Sequence, residues 1–263
     1  MARKIVLTSG KGGVGKTTIC ANLGARLAGF GFRVVLVDVD IGLNNLDVVM
    51  GVENKIVFDI ADVISAKCRV KQALVQDDKY PSLFILPSAH SYKSSCITGE
   101  NIKNVLEMLD NSFDYILIDC PAGVEAGFHR AVFAANEAII VVTPHISSIR
   151  DADKVLGILS SYQLLNKYLI VNRVRGDLLL SGEMLDENEI AEMLNLPLLG
   201  VIPEDDLVSA LSLSGCLVKK GPSGRAFTLL SENLHNGTKK IYDCTNKYRG
   251  FWGGVRKNLR KKV

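Results

Sequence analysis

No apolar run in the 263-residue sequence approaches the roughly 20 residues that cross a bilayer, which excludes an ordinary spanning helix. Paired cysteines are missing as well. Cys20, Cys68, Cys96, Cys120, Cys216 and Cys244 are scattered with no C-x-x-C spacing, and the histidines show no ligand spacing. A disulfide framework and a zinc site are therefore disfavoured, and buried thiols in a reducing compartment are expected. The N-terminus, MARKIVLTSG, runs straight into a strand pattern and leaves no room for a cleavable signal, so a cytosolic chain is expected. Internal repeats and low-complexity segments are absent too. Acid is missing from one place in particular. Residues 247–263 carry Lys247, Arg249, Arg256, Lys257, Arg260, Lys261 and Lys262 without one carboxylate; the chain's total is +3, so the remainder is mildly acidic.

What is present is an ordinary globular composition, 48% hydrophobic and 22% charged, long enough for one large α/β domain or two small ones. Continuous apolar runs predict strands at 4–8, 34–38, 83–86, 115–119, 138–143, 168–171 and 198–202. Helical patterns fall between them at 16–28, 56–65, 99–109, 124–134, 149–164 and 187–194. Asp186 and Glu189 form a capping pattern at the front of the last. Unbroken rather than alternating runs belong to strands covered on both faces. The alternation of strand and helix predicts an α/β fold with a doubly wound, mostly parallel sheet. GPSG at 221–224 and Asn236-Gly237 read as turns, and the body is expected to end near residue 246, giving a domain 1–246 and a tail 247–263.

The stretch 9–18, SGKGGVGKTT, fits the phosphate-loop pattern G-x-x-x-x-G-K-[ST] between a strand and a helix. Gly10, Lys11, Gly12, Gly13, Val14, Gly15, Lys16, Thr17 and Thr18 thus become candidate nucleotide-binding residues. Backbone N–H groups at the helix N-terminus favour phosphate oxygens, Lys16 neutralises charge and the Thr17 hydroxyl ligates Mg²⁺. Asp38 and Asp40 close a strand on the same side; near a triphosphate they can hold Mg²⁺ through water or orient an attacking water, and otherwise they cap and solvate a loop. Asp119 ends the apolar run in FDYILIDCPAG, where a carboxylate binds a metal's water shell, and Pro121-Ala122-Gly123 allows a closely approaching loop. Asn172 offers a donor and an acceptor suited to an adenine edge, or is an ordinary turn asparagine. Arg173 can stack on the base, with Pro203 and Glu204 of VIPED as a second wall.

Together GKGGVGKTT, DVDIGLNNLD, DCPAG, SSIRDADKVLGIL, the Asn172-Arg173 pair and GVIPED resemble the ParA/MinD branch of the deviant Walker A ATPases, over roughly residues 2–215. The resemblance implies a P-loop NTPase fold and two subunits sandwiching two ATPs, with Lys11 reaching the partner's phosphates. It implies catalytic roles for Lys11, Lys16, Asp38 and Asp40, and metal contacts from Thr17, Asp40 and Asp119. It further implies an ATP-hydrolysing, division-site regulator with a MinC-like septum inhibitor and a MinE-like or other topology factor as partners. The partner surface would lie at Ser148, Asp151 and Asp153. Asn44 stands where the branch usually has arginine, Cys120 where serine is usual and His145 where an acid is common; none of these removes a catalytic group.

In the tail, Tyr248, Phe251, Trp252, Val255 and Leu259 recur at helical spacing, with Arg256, Lys257 and Arg260 on the other faces. That is the composition of an interfacial amphipathic helix for anionic lipid. Gly253-Gly254 cost about 1 kcal/mol each against alanine, so ordering is expected on lipid rather than in water. A solvated basic end and a nucleic-acid contact are the alternatives; the apolar stripe argues against the second. The expected location is cytoplasmic and peripheral on the inner face of the cell membrane, or in an organelle of bacterial descent. A DNA-segregation ATPase and a flagellar-number regulator of the same branch are the competing functions.

Overall fold

The computed structural model describes residues 1–42, 45–89 and 97–249. Its strands are β1 (Arg3–Thr8), β2 (Val34–Asp38), β3 (Val75–Gln76), β4 (Leu83–Leu86), β5 (Tyr115–Asp119), β6 (Glu137–Val142), β7 (Asn166–Val174) and β8 (Leu198–Pro203). They form one sheet in the order β3-β4-β2-β5-β1-β6-β7-β8, parallel throughout except for the antiparallel β3–β4 edge. The helices are α1 (Lys16–Gly29), α2 (Asn45–Met50), α3 (Ile60–Ile64), α4 (Val70–Ala73), α5 (Gly99–Leu109), α6 (Ala126–Phe133) and α7 (Ile146–Leu159). They continue with α8 (Gly176–Ser181), α9 (Glu187–Leu194), α10 (Asp206–Leu213) and α11 (Gly221–Asn236). The expected doubly wound, mostly parallel α/β architecture is what the chain adopts.

Period-two alternation divides each central strand between two cores. Ile5, Leu7, Leu36, Leu117 and Ile139 pack with Leu23 and Leu27 of α1 and Phe227 and Leu230 of α11. Val6, Val35, Val37, Ile118 and Ile140 pack on the other face with Leu106 of α5, Phe128 of α6 and Val155 of α7. Both phenylalanines are fully buried, so truncating either to alanine costs about 3–5 kcal/mol.

Helix α11 departs from the expected turn. GPSG is instead the first turn of a 16-residue helix. Pro222 is tolerated there because the first N–H groups of a helix lack intrahelical partners. Gly224 is required by close approach: an added Cβ would lie 3.0 Å from the Lys219 carbonyl. Asn236-Gly237 does end the helix, with Gly237 left-handed at φ 66°. Helix α7 begins three residues ahead of the expected Ile149 and stops at Leu159. The expected capping box at α9 is present, Asp186 accepting from the Asn188 and Glu189 N–H groups.

Past α11 the chain returns across α8 so tightly that a Cβ on Gly176 would collide with the Cys244 carbonyl. The 3₁₀ turn Asn246–Tyr248 comes next, and Tyr248 is only 5% exposed. This corrects the expectation that Tyr248 faces lipid with the tail: its ring belongs to the packed body. Phe251, Trp252, Val255, Arg256, Lys257, Leu259 and Arg260 lie outside the described residues.

Candidate functional site

The phosphate loop, the strand-end acids and the base-pocket residues all reach the carboxyl edge of the sheet, where doubly wound folds bind ligands. The loop 9–15 leaves β1, Asp38 ends β2, Asp119 ends β5, Asn172 lies near the end of β7 and Pro203 ends β8. The loop is built on backbone shapes that side chains resist. Gly15 caps α1 at φ 96°, and a Cβ there would sit 2.5 Å from the Asn172 amide nitrogen. That nitrogen donates to the Val14 carbonyl at 2.7 Å, so Asn172 ties β7 to the loop. The second amide N–H and the Oδ1 oxygen are not used by that bond and suit a base edge. Ser9 accepts from the buried Lys16 ammonium at 3.0 Å and donates to the Lys11 carbonyl at 2.7 Å, which fixes the loop from inside.

The carboxylates crowd beneath this loop. Asp38 and Asp119 sit side by side in the β2–β5 register and are almost fully buried. Burial raises the Asp38 pKa well above the usual carboxylate range, and the neighbouring Asp119 adds to it, against donation from the Asp40 and Leu46 N–H groups. Burial likewise pushes Asp119 up to about 6, despite the Thr17 hydroxyl and the Lys16 ammonium. Asp40, half-buried and lining the phosphate-side cavity, is raised by burial and drawn back by Lys16. Asp38 thus closes the loop from β2 to α2, while Asp40 faces the open space.

That space is two neighbouring cavities sharing Gly15, Thr18 and Arg173. One, about 510 Å³, is bordered by Gly12, Lys16, Thr17, Asp40, Cys120 and Ala122. The other, about 280 Å³, is bordered by Asn172, Pro203, Glu204, Ser209 and Ser212. Arg173 spans both because its backbone is left-handed, φ 58°, where the pairing of β7 with β8 slips between Val171 and Val174. Such a conformation costs an arginine of order 1–3 kcal/mol and points to a positional requirement. The wall from α10 is absent from the sequence-based expectations; the spacing of Val208, Ser209 and Ser212 after the capping Asp205 was its signal.

A loop rich in N–H groups attracts phosphate, and the acids below it attract a cation. Asp119 Oδ1 is buried without a hydrogen-bond donor, beside the Thr17 hydroxyl and Asp40. Among the described residues no cluster of three or more His, Cys, Asp or Glu can hold a metal by itself. A metal here draws ligands from phosphate and water, as Mg²⁺ does. The residues therefore fit Mg²⁺ with a nucleotide.

Lys11 is different. It is exposed, and its ammonium lies 3.5 Å from the Ser147 hydroxyl at the start of α7. Asp151, one turn on, presses on the loop itself: a Cβ on Gly10 would lie 2.6 Å from Asp151 Cβ and overlap its carbonyl. Asp151 is partly covered and Asp153 exposed, but Ser148 is 3% exposed. Its hydroxyl accepts from the buried Thr143 N–H at 3.1 Å, which corrects its expected place on a partner surface. Burial pushes the Cys120 thiol up to about 12, so it packs as a neutral group. His145 is the exposed residue that precedes α7, and Asn44 lies outside the described residues.

The model of the CobQ/CobB/MinD/ParA nucleotide-binding domain matches residues 5–218. The septum site-determining protein MinD of Synechocystis is 48% identical, covering 98% of this chain and 99% of its own. Two solved structures superpose closely. The MinC:MinD cell division protein complex of Aquifex aeolicus matches with a TM-score of 0.85 at 41% identity, covering 91% of this chain and 98% of that one. The septum site-determining protein MinD complexed with Mg-ADP, from Pyrococcus horikoshii, matches with a TM-score of 0.80 at 31% identity, covering 89% and 96%.

Proposed function

The chain belongs to the MinD/ParA family of nucleotide-binding proteins, with MinD proteins among its relatives, and from that premise we propose that it is a Mg²⁺-dependent ATPase that dimerises on ATP. In this reading the dimer settles on anionic membrane through its basic C-terminal segment and recruits a MinC-like septum inhibitor, so regulating where division occurs. Hydrolysis, stimulated by a MinE-like or other topology factor, returns the monomer to the cytoplasm. The observation that carries the proposal is the division of labour between two lysines of one loop. Lys16 is buried in its own site, and Lys11 stands exposed outside it. A cation so placed suits the phosphates of a second subunit.

When bound, the Mg²⁺–triphosphate supplies the electrophilic phosphorus and the charge that the metal neutralises. The chain's residues do the rest. Lys16 and the N–H groups of 10–18 would hold the phosphates, Thr17 would offer its hydroxyl to the metal, and the unpartnered Asp119 Oδ1 would accept from its hydration shell. Asp40 orients the attacking water, and Asp38 holds the loop that carries it. Arg173, Pro203 and Glu204 enclose the base, with Asn172 locking the loop beside it. The α7 surface that receives the inhibitor is read at Asp151 and Asp153, without the buried Ser148. The body–tail division expected at 246/247 moves past Tyr248, which is packed on the body. One tail binds weakly, and two on a dimer gain ~10²-fold by effective concentration.

Light scattering and vesicle sedimentation in one series test this. ATP should convert monomer to dimer and carry it onto phosphatidylglycerol vesicles. Lys11→Ala should abolish both while leaving nucleotide affinity within a few-fold. A Lys11→Ala chain that still dimerises with ATP would overturn the assignment.

A further inference from the structure

Away from the phosphate loop, a cavity of about 750 Å³ opens between α8, the start of α9 and the returning C-terminal segment. Leu180, Met184 and Ile241 give it an apolar floor, and Leu180 is 42% exposed. Its rim is acidic, with Glu187 and Asp243 among the lining residues. Burial raises the Glu187 pKa, and the charges of Asp186 and Asp243 add to it. Arg249 stands on the same rim, 3.4 Å from Asp243. The chain therefore leaves the described body at the lip of the groove.

The residues past Arg249 complement that groove. Residues 250–263 contain Arg256, Lys257, Arg260, Lys261 and Lys262 and no acidic side chain, with Phe251, Trp252, Val255, Leu259 and Val263 as the apolar members. Trp252 is three residues past the rim, a reach of about 10 Å at roughly 3.3–3.6 Å per residue. We propose that this groove is the docking site of the chain's own C-terminal segment, Phe251 and Trp252 meeting the apolar floor and the basic residues meeting Glu187 and Asp243. Groove and lipid then compete for the same side chains, and a monomer keeps its membrane segment covered. Only that consequence rests on the membrane reading above; the contact itself is testable without lipid.

The chain carries a single tryptophan, Trp252, which reports the contact directly. In full-length protein without nucleotide or lipid, its emission should be blue-shifted from that of N-acetyltryptophanamide. Acrylamide quenching should be several-fold weaker, and both should be independent of protein concentration. Glu187→Lys and Leu180→Ser, checked for an unchanged melting profile, should each shift emission to the red and restore quenching. Added salt should do so in part, because screening weakens charge pairing at a surface. Trp252 quenched as freely as the small-molecule reference would overturn the proposal, as would shielding that ignores both substitutions. Shielding that grows with protein concentration would place the segment in a second copy and overturn it too. Phosphatidylglycerol vesicles with ATP separate the two readings. Shielded Trp252 without vesicle binding leaves the groove standing and removes the membrane role; vesicle binding with freely quenched Trp252 does the reverse. If both hold, Glu187→Lys and Leu180→Ser should also raise vesicle binding in the absence of ATP.

Discussion

The carboxyl edge of the sheet and the groove beside α8 both gather negative charge, and they hold it in opposite ways. At the edge, Asp38 and Asp119 are buried side by side, so each resists ionisation and the pair calls for a cation. In the groove, Asp186 spends its carboxylate on the cap of α9 and Asp243 pairs with Arg249, with water at hand. Buried charge stores a requirement that a ligand must meet, whereas rim charge steers and selects at little cost to the fold.

The largest effect that would sharpen this contrast is expected at the loop. Lys16→Ala should lower ATP turnover by roughly 10²–10³-fold or more, as removal of a donor to developing charge does. Asp40→Ala should abolish turnover yet still bind ATP, which a fluorescent-nucleotide titration would check. Glu187→Gln, in the groove, should leave turnover unchanged in the same assay, and a groove variant with the Lys16→Ala phenotype would break the comparison.

Next in size is the pH response. Asp119 has a folded pKa of about 6 against 3.8 in the free group, so the folded chain binds its proton more tightly than the unfolded chain. Its contribution to stability is present at low pH, falls as pH rises from about 4 to about 6 and is gone above that. Asp38 moves in the same direction. Mg-ADP, by favouring the ionised form, should therefore raise the melting temperature more at about pH 7.5 than at about pH 5. The difference should amount to roughly 1–3 kcal/mol. A stabilisation equal at both pH values would show that the buried pair is not relieved by the metal.

Of similar size is Gly15→Ala, which forces a Cβ into a left-handed position against Asn172. It should cost about 1–3 kcal/mol in thermal unfolding and weaken nucleotide binding. The smallest is Arg173→Gly. It relieves the φ of 58° and should stabilise the apo chain by about 1 kcal/mol or less, while nucleotide affinity falls.

The central strands were legible because a run buried on both faces is continuously apolar and, in β2 and β5, stops at a single aspartate. Val34–Asp38, Leu83–Leu86 and Tyr115–Asp119 fall where the apolar runs place them. Helices α2, α4, α8 and α10 are short and lean on tertiary contacts, which leaves little periodicity to read. Helix α11 was hidden because Pro and Gly, turn formers in general, are used there for a first turn and a close approach. In the site, the contiguous loop and the strand-end acids could be read from chemistry. The exposure of Ser148 and Tyr248 could not, since both are buried by partners distant in sequence or brought near only by folding. The Thr143 N–H that claims Ser148 and the α8 contact near Tyr248 are products of the fold.

The seam between Gly10 and Asp151 has no clearance: one methyl group would not fit. A joint machined that close passes on displacement instead of absorbing it, because overlapping atoms repel far more steeply than a packed helix bends. The backbone at Gly10 and the first turns of α7 are therefore in direct contact, with Asp153 exposed two residues beyond that contact. The helix that carries Asp153 thus rests its first turns on the phosphate loop itself.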